Sequence, residues 1–274
     1  MLHPSVGKRL DVLSELVGSL SIYNRIAQIE VAVDDSSSAL VFRNLEDFSE
    51  DDLQKLHDFG EQYSIQMYIQ PGGPDTVQAI PGKSYPLLHY DVDGGNVRIH
   101  FAATDFTQVN MDINRAMIDR VMELLDPGTS EHVMDLFCGV GNFTLPIARR
   151  AASVIGIEGS ETLVEKARQN ATLNGIENAT FIARDLSTEA MSMQDKPVTK
   201  LLLDPPRSGA EELVSQWDFS GLSRIVYVSC NPATLARDAA ILVGQKGFKL
   251  LSAGVMDMFP HTSHVESIAV FEHE

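Results

Sequence analysis

The stretch "VMDLFCGVGNFTLPIARRAASVIGIEGS", Val133 to Ser160, decides the architecture of the larger part of this chain. A short apolar run ending at Asp135-Leu136-Phe137 reads as a buried strand. Gly139-Val140-Gly141 then makes a tight turn, a helix begins at about Asn142, and "SVIGIE" returns as a second strand ending on Glu158. Strand, turn, helix and strand in that order form a βαβ unit of a parallel sheet. Glycines at such a turn let the backbone approach a ligand at the helix N-terminus. Glu158 follows the first glycine by roughly 20 residues, where an acid can take both hydroxyls of a ribose.

The alternation extends outward from this unit. Upstream, "MDINRAMIDRVMELLDPG" predicts a helix with Ile113, Met117, Val121 and Leu124 on one face, stopped by Pro127-Gly128. Downstream, a helix from Ser160 to Gly175 is followed by strands at "ATFIA", "KLLLD", "RIVYVS" and near "HVESIAVFEH". Residues 105–274 are therefore expected to be a Rossmann-like α/β domain with a mostly parallel, doubly wound sheet. Residues 1–104 read differently, as a smaller α+β domain. A helix over "SVGKRLDVLSELVGSL" precedes strands at "RIAQIEVAV" and "SALVFRN". "SEDDLQKLHDFGEQYS" is a second helix, with Ser49 as N-cap, acids in its first turn, and Leu53, Leu56 and Phe59 on one face. Strands at "IQMYIQP", "TVQAIPG" and "NVRIHFA" follow, separated by the turns "PGGPD" and "DGGN".

Composition narrows the class of function. The 274 residues are 44% hydrophobic and 22% charged, which is ordinary for a folded domain. No apolar run approaches the roughly 20 residues of a membrane span, and no membrane partner is expected. Two cysteines without CxxC spacing make neither a disulfide framework nor a zinc site, so a reducing cytoplasm is the expected compartment. The formal charge of −17 argues against a general nucleic-acid adhesive. An RNA substrate would require a local basic surface, or a further domain to supply it.

Candidate site residues lie at successive strand ends. The third glycine of the dinucleotide fingerprint is missing, Thr144 standing in its place, so the turn looks less like a site for NAD and more like one for S-adenosylmethionine. A purely structural turn is the alternative. Asp185 in "IARDL" could accept a hydrogen bond from an adenine amino group, and Asp204 in "LLLDPPRSG" ends the next strand. In "IVYVSCNPATLARD", Ile225 to Asp238, a β-branched run is broken by Asn231-Pro232, and Pro232 suits the first turn of a helix. Cys230 therefore stands at the carboxyl end of a strand, as a ligand-facing thiol or as a buried structural one.

A cysteine and a carboxylate are what carbon-5 methylation of a pyrimidine needs. Carbon 5 of uracil is too weak a nucleophile until a thiolate adds to carbon 6, and a separate base must then remove the carbon-5 proton. The dipole of the following helix is expected to favour the Cys230 thiolate. Glu266, amid Val265, Ile268 and Val270, gains basicity if partly buried. His261 and His264 have ligand-like spacing, but Pro260 breaks the helix that would align them, and no metal is expected. A Cys138–Cys230 disulfide is the bland account of the two thiols.

"DFTQVN", "DLFCGVGNFTLP", "LLDPPRSGA", "VSCNPATLARD" and "DMFPHTSHVES" occur in this order, and together they resemble the catalytic part of the RNA uracil-5-methyltransferases, in particular those acting on 23S ribosomal RNA. The resemblance implies Cys230 as nucleophile and Glu266 as base. It also implies S-adenosylmethionine contacts from Gln108, Phe137, Asn142, Glu158, Asp185 and Asp204; the family often has Asn where Asp185 stands. The partner is then RNA, 23S rRNA foremost, and residues 1–104 a central domain that contacts it. The chain is expected to act as a monomer in the cytoplasm. Methylation of a tRNA uridine is the alternative, and an amino-group methyltransferase in which Cys230 is incidental is another. Full-length relatives also carry an N-terminal RNA-binding barrel and a four-cysteine iron–sulfur cluster, whose ligands this sequence lacks. A shortened chain is the expected explanation, and it would account for the acidic balance.

Overall fold

The computed structural model describes residues 3–186, 198–262 and 264–273, and the chain divides into two compact units, Met1–Tyr90 with His100–Thr107 and Asp91–Ile99 with Gln108–Glu274. In the first unit the opening segment makes two helices rather than one, α1 (Pro4–Gly7) and α2 (Leu10–Ser19). Arg9 leaves the helical region at φ −121°, two residues after Gly7, a residue type that propagates a helix poorly. Strands β1 (Ile26–Val33) and β2 (Ser38–Asn44) pair antiparallel. Helix α3 (Glu50–Tyr63) then crosses to β3 (Ile65–Gln70), which lies parallel to β2. Ser49 and Asp52 close a capping box on α3, each side chain accepting from the other's backbone N–H. Leu56 and Phe59 are buried with Leu40, Phe42 and Met67 in this unit's core, while Leu53 is half-buried. The strand expected over "TVQAIPG" shrinks to β4 (Gln78–Ala79), because Pro81 has no N–H for a ladder.

Strands β5 (Leu88–Val92) and β6 (Val97–Phe101) form a separate two-stranded sheet. Gly94 and Gly95 supply its positive-φ turn, as "DGGN" predicts. Polar contacts inside the segment and to the rest of the second unit hold residues 91–99, among them Arg115 Nε to the Asp91 carbonyl at 2.9 Å. Arg98 pairs with Asp91 at 2.8 Å, Arg150 with Asp93 at 3.0 Å, and the Asn174 amide bonds both backbone groups of Arg98.

The second unit is built on a seven-stranded sheet. After helix α4 (Met111–Leu125) come β7 (His132–Leu136), α5 (Thr144–Ala148), β8 (Ser153–Glu158), α6 (Glu161–Leu173) and β9 (Ala179–Ala183). Then follow β10 (Lys200–Leu203), α7 (Glu211–Gln216), β11 (Arg224–Ser229), α8 (Pro232–Gln245), β12 (Lys249–Met256) and β13 (Glu266–Glu272). The sheet order is β12-β13-β11-β10-β7-β8-β9, and β13 runs antiparallel to both its neighbours while the rest are parallel. Helix α5 starts two residues later than expected, after Gly141 at φ +96° and the non-helical approach through Asn142. Strand β12 has no counterpart in the sequence reading: seven of its eight residues are exposed, so no burial alternation marks it.

Chain order reverses between β7 and β10, one leading to β8 and β9, the other to β11. Open α/β sheets bind ligands outside the carboxyl ends of their strands at such a point. The register aligns those ends: Leu136 is level with Ile157 and Leu203, and Leu203 with Tyr227. Leu136, Leu203 and Tyr227 are fully buried with Trp217, Leu242 and Phe248, so the strand ends rest on a packed core.

Candidate active site

The first polar residue past each aligned strand belongs to one edge of the sheet. After β7 the backbone turns sharply at Phe137 (φ +66°), whose N–H donates to the Ile157 carbonyl at 2.8 Å. Gly139 and Gly141 continue the turn with φ +54° and +96°. Glu158, ending β8, braces it by accepting from the Gly139 N–H and the Ser160 N–H, both at 3.2 Å. Asn142 exchanges two amide hydrogen bonds with Asn114 of α4, at 3.1 and 3.0 Å. Asp204 follows β10 directly, its N–H donating to the Leu136 carbonyl at 3.3 Å.

Beneath the glycine turn lies Asp135, fully buried. One carboxylate oxygen accepts from Thr144 at 2.5 Å, and the other is buried with no partner. Burial pushes its pKa up to about 7, with the Glu158 charge adding and the Thr144 hydroxyl opposing. The position that the dinucleotide pattern gives to a third glycine is thus held by a hydroxyl that serves this acid. An orphaned buried oxygen, open glycine turns and an acid at the end of β8 fit a small cofactor carrying an amino group and a ribose.

Strand β13 completes the other half of the edge. It pairs with β11 as far as Ser229↔Ser267, so Cys230 and Glu266 are the residues immediately beyond the end of this ladder, and the Glu266 charge acts on the Cys230 thiol. Glu266 is only 4% exposed, whereas Cys230 is half-buried and reachable by solvent. Burial raises the Glu266 carboxyl above the usual carboxylate range. Burial raises Asp204 well above that range too, and the charges of Glu266 and Asp135 add to it. The Cys230 thiol is also pushed up, by burial first and then by Glu266 and Asp204. Its own backbone and the Arg207 charge oppose the shift without reversing it. The thiol is thus raised, against the expectation of a helix-stabilised thiolate, by burial first and then by two carboxyl groups, although Asn231 caps α8 by accepting from the Ala233 N–H at 3.2 Å.

Six of the eight site residues expected from the sequence, Phe137, Asn142, Glu158, Asp204, Cys230 and Glu266, stand on this edge. Asp185 is exposed just past β9. Gln108 is half-buried in the segment leading to α4, and its side chain makes no hydrogen bond among the described residues. Cys138 and Cys230 are both free thiols, Cys138 being buried. Among the described residues no group of three or more His, Cys, Asp and Glu could hold a metal, and no helix is long and apolar enough to cross a membrane. The sequence reading passed over Asn114 and Asp238. Both carried a signal, since each is a polar residue in apolar phase: Asn114 with Met117, Ile118 and Val121, Asp238 with Leu235 and Leu242.

A reversing sheet with one antiparallel strand next to its edge and a glycine turn at the switch point defines a Rossmann-like methyltransferase fold. A solved tRNA (uracil-54, C5)-methyltransferase of Pyrococcus abyssi, in complex with S-adenosyl-L-homocysteine, superposes with a TM-score of 0.68 at 26% identity, covering 86% of this chain and 57% of that one. The sequence profile of the family "tRNA (Uracil-5-)-methyltransferase" matches residues 29–274, and the chain belongs to that family. Among curated relatives, the "23S rRNA (uracil(1939)-C(5))-methyltransferase RlmD" of Hahella chejuensis is 54% identical over 99% of this chain. The protein of the same name from Francisella tularensis subsp. novicida is 49% identical, also over 99%. The chain spans 62% of the length of each of these two relatives.

Proposed function

We propose that this chain carries the catalytic machinery for methyl transfer from S-adenosylmethionine to carbon 5 of a uridine in RNA, with 23S ribosomal RNA the favoured substrate. The observation that carries the reading is a solvent-reachable thiol, Cys230, and a buried carboxylate of raised basicity, Glu266, at the end of one strand ladder and in electrostatic contact. The names of the closely similar relatives support the ribosomal target. A tRNA uridine is the alternative, in line with the name of the Pyrococcus abyssi protein.

S-adenosylmethionine, when bound, supplies the methyl group. Glu158 would take its ribose hydroxyls, Asp185 its adenine amino group, and Gln108, Phe137, Asn142 and Asp204 would complete the pocket. The half-exposed Cys230 sulfur yields its proton to water and adds to carbon 6 of the uracil, which becomes nucleophilic at carbon 5. After methylation Glu266 accepts the carbon-5 proton, the carbon–sulfur bond breaks, and the thiolate is restored. A raised thiol pKa lowers the thiolate population but makes each thiolate a stronger nucleophile. The iron–sulfur cluster of longer relatives does not fit this sequence, which has two cysteines, and no step involves it. In this reading residues 1–104 contact the RNA, and the protein works as a cytoplasmic monomer.

RNA containing 5-fluorouridine tests the proposal, because fluorine at carbon 5 cannot leave as a proton. The chain with S-adenosylmethionine should form an adduct that survives denaturation, and Cys230→Ala should form none. Methylated product from the Cys230→Ala chain, or methyl transfer to a nitrogen, overturns the reading.

A further inference from the structure

One buried carboxylate takes no part in the reaction above. Asp238, on α8, is completely buried. Its Oδ2 accepts from the Ala210 N–H at 2.7 Å and the Tyr227 hydroxyl at 2.6 Å. Its Oδ1 accepts from Arg237 Nε at 2.8 Å, with Nη2 of the same guanidinium also at 2.8 Å. Arg237 Nη2 donates in addition to the Ser208 carbonyl at 2.9 Å, and Nη1 faces Glu211 at 3.2 Å. From the start of α8, its N-cap Asn231 Nδ2 and Thr234 Oγ1 donate to the Arg207 carbonyl at 3.1 and 3.4 Å. Between these anchors Gly209 adopts φ +77°, and a Cβ there would lie 2.6 Å from Arg237 Nη2 and 2.7 Å from Asp238 Oδ2. The loop lies too close to the helix for any side chain at that point.

The two segments joined in this way each carry half of the site. The loop starts at Asp204 and contains Arg207, whose charge acts on Cys230. The helix starts directly after Cys230-Asn231. The geometry points to Asp238 as a positioning residue, which holds Asp204–Ala210 on the first two turns of α8 and so sets Asp204 and Arg207 against Cys230. Stability alone does not require a carboxylate in this place, because Leu235 and Leu242 fill the same helix face and buried ion pairs are commonly replaceable by apolar groups without loss. What an acceptor adds is direction, since its four contacts can be made in one arrangement only.

The inference rests on the uridine-methylating reading, and the test separates the two. Asp238→Leu, Asp238→Asn and Arg237→Met are compared with the unaltered chain by kcat and KM with RNA, by S-adenosylhomocysteine affinity, and by the pH midpoint of Cys230 alkylation. Asp238→Leu should lower kcat about tenfold or more, with KM and cofactor affinity within about threefold. Asp238→Asn keeps an acceptor for Ala210 and Tyr227 and should restore kcat to within about threefold of the original. The alkylation midpoint should rise by about half a pH unit in Asp238→Leu as Arg207 loses its place. Should Asp238→Leu fail to fold, Arg237→Met, at a partly exposed position, carries the same test through the lost Ser208 contact, with a kcat loss of about threefold. Unchanged kcat and midpoint in Asp238→Leu (or in Arg237→Met, should Asp238→Leu not fold), a loss in Asp238→Asn as large as in Asp238→Leu, or parallel losses in kcat, KM and cofactor affinity, overturn the inference. If the unaltered chain forms no fluorouridine adduct, the reaction reading fails, and the midpoint alone then decides whether Asp238 orders the site.

Discussion

Cys230 and Glu266 are separated by 36 positions in the chain, yet the Glu266 charge adds to burial in raising the proton affinity of the Cys230 thiol. A thiol whose neighbours are carboxylates titrates above its ordinary value, because the thiolate must form beside charge of its own sign. Glu266→Gln removes that charge and leaves the size of the side chain unchanged. The sign follows: the folded thiol is raised, so neutralising Glu266 should bring the midpoint of Cys230 alkylation down toward the ordinary thiol value, while Cys138, buried, stays unreactive until denaturation. A midpoint that stays put or rises would show that the two groups do not face one another. At this scale the sequence was legible where a residue's role depends on its neighbours in the chain, as with Glu158 at a strand end or Ser49 at a helix start. The raised thiol was not legible, since the opposing carboxylate arrives from another strand and only the favourable helix terminus is visible locally.

Elements were legible in proportion to the one-sidedness of their burial. Helix α4 shows its apolar stripe plainly: Met117 and Val121 are buried as expected, Ile113 and Leu124 are half-buried, and Leu125 rather than Leu124 completes the buried face. Strand β12 shows nothing of the kind because it faces solvent along most of its length. The break between α1 and α2 depends on one residue leaving helical dihedrals, which composition hardly marks. Helix α3 illustrates the opposite extreme, with its N-cap written in the sequence. The Ser49 hydroxyl accepts from the Asp52 N–H at 3.1 Å, and the Asp52 carboxylate returns a contact at 3.2 Å. Ser49→Ala removes one of these, and the chain should lose about 1 kcal/mol of stability in denaturant titration, with the slope unchanged. A loss below about 0.3 kcal/mol would mean that Asp52 caps the helix alone.

For the molecule as a whole, a formal charge of −17 on 274 residues makes self-repulsion a standing term in its stability. Raising sodium chloride from about 0.1 to about 1 M shortens the screening length from about 10 to about 3 Å. The melting temperature should therefore rise by about 3 °C or more; a fall would show that attractive ion pairs such as Arg98–Asp91 dominate instead. Fold class was legible at this scale because five parallel strands and their helices recur at short spacing. The placement of β13 was not, since nothing in a strand's own residues says that it will enter between two others. That placement bears on how the protein is made. β13 follows every other element of the sheet in the chain, and it brings Glu266 with it. A ribosome will have delivered Cys230 and the whole parallel sheet before Glu266 is translated. Until that strand enters its slot between β11 and β12, the parallel sheet presents Cys230 without the buried Glu266 carboxyl, so the proposed site is completed by the last strand of the sheet to be translated.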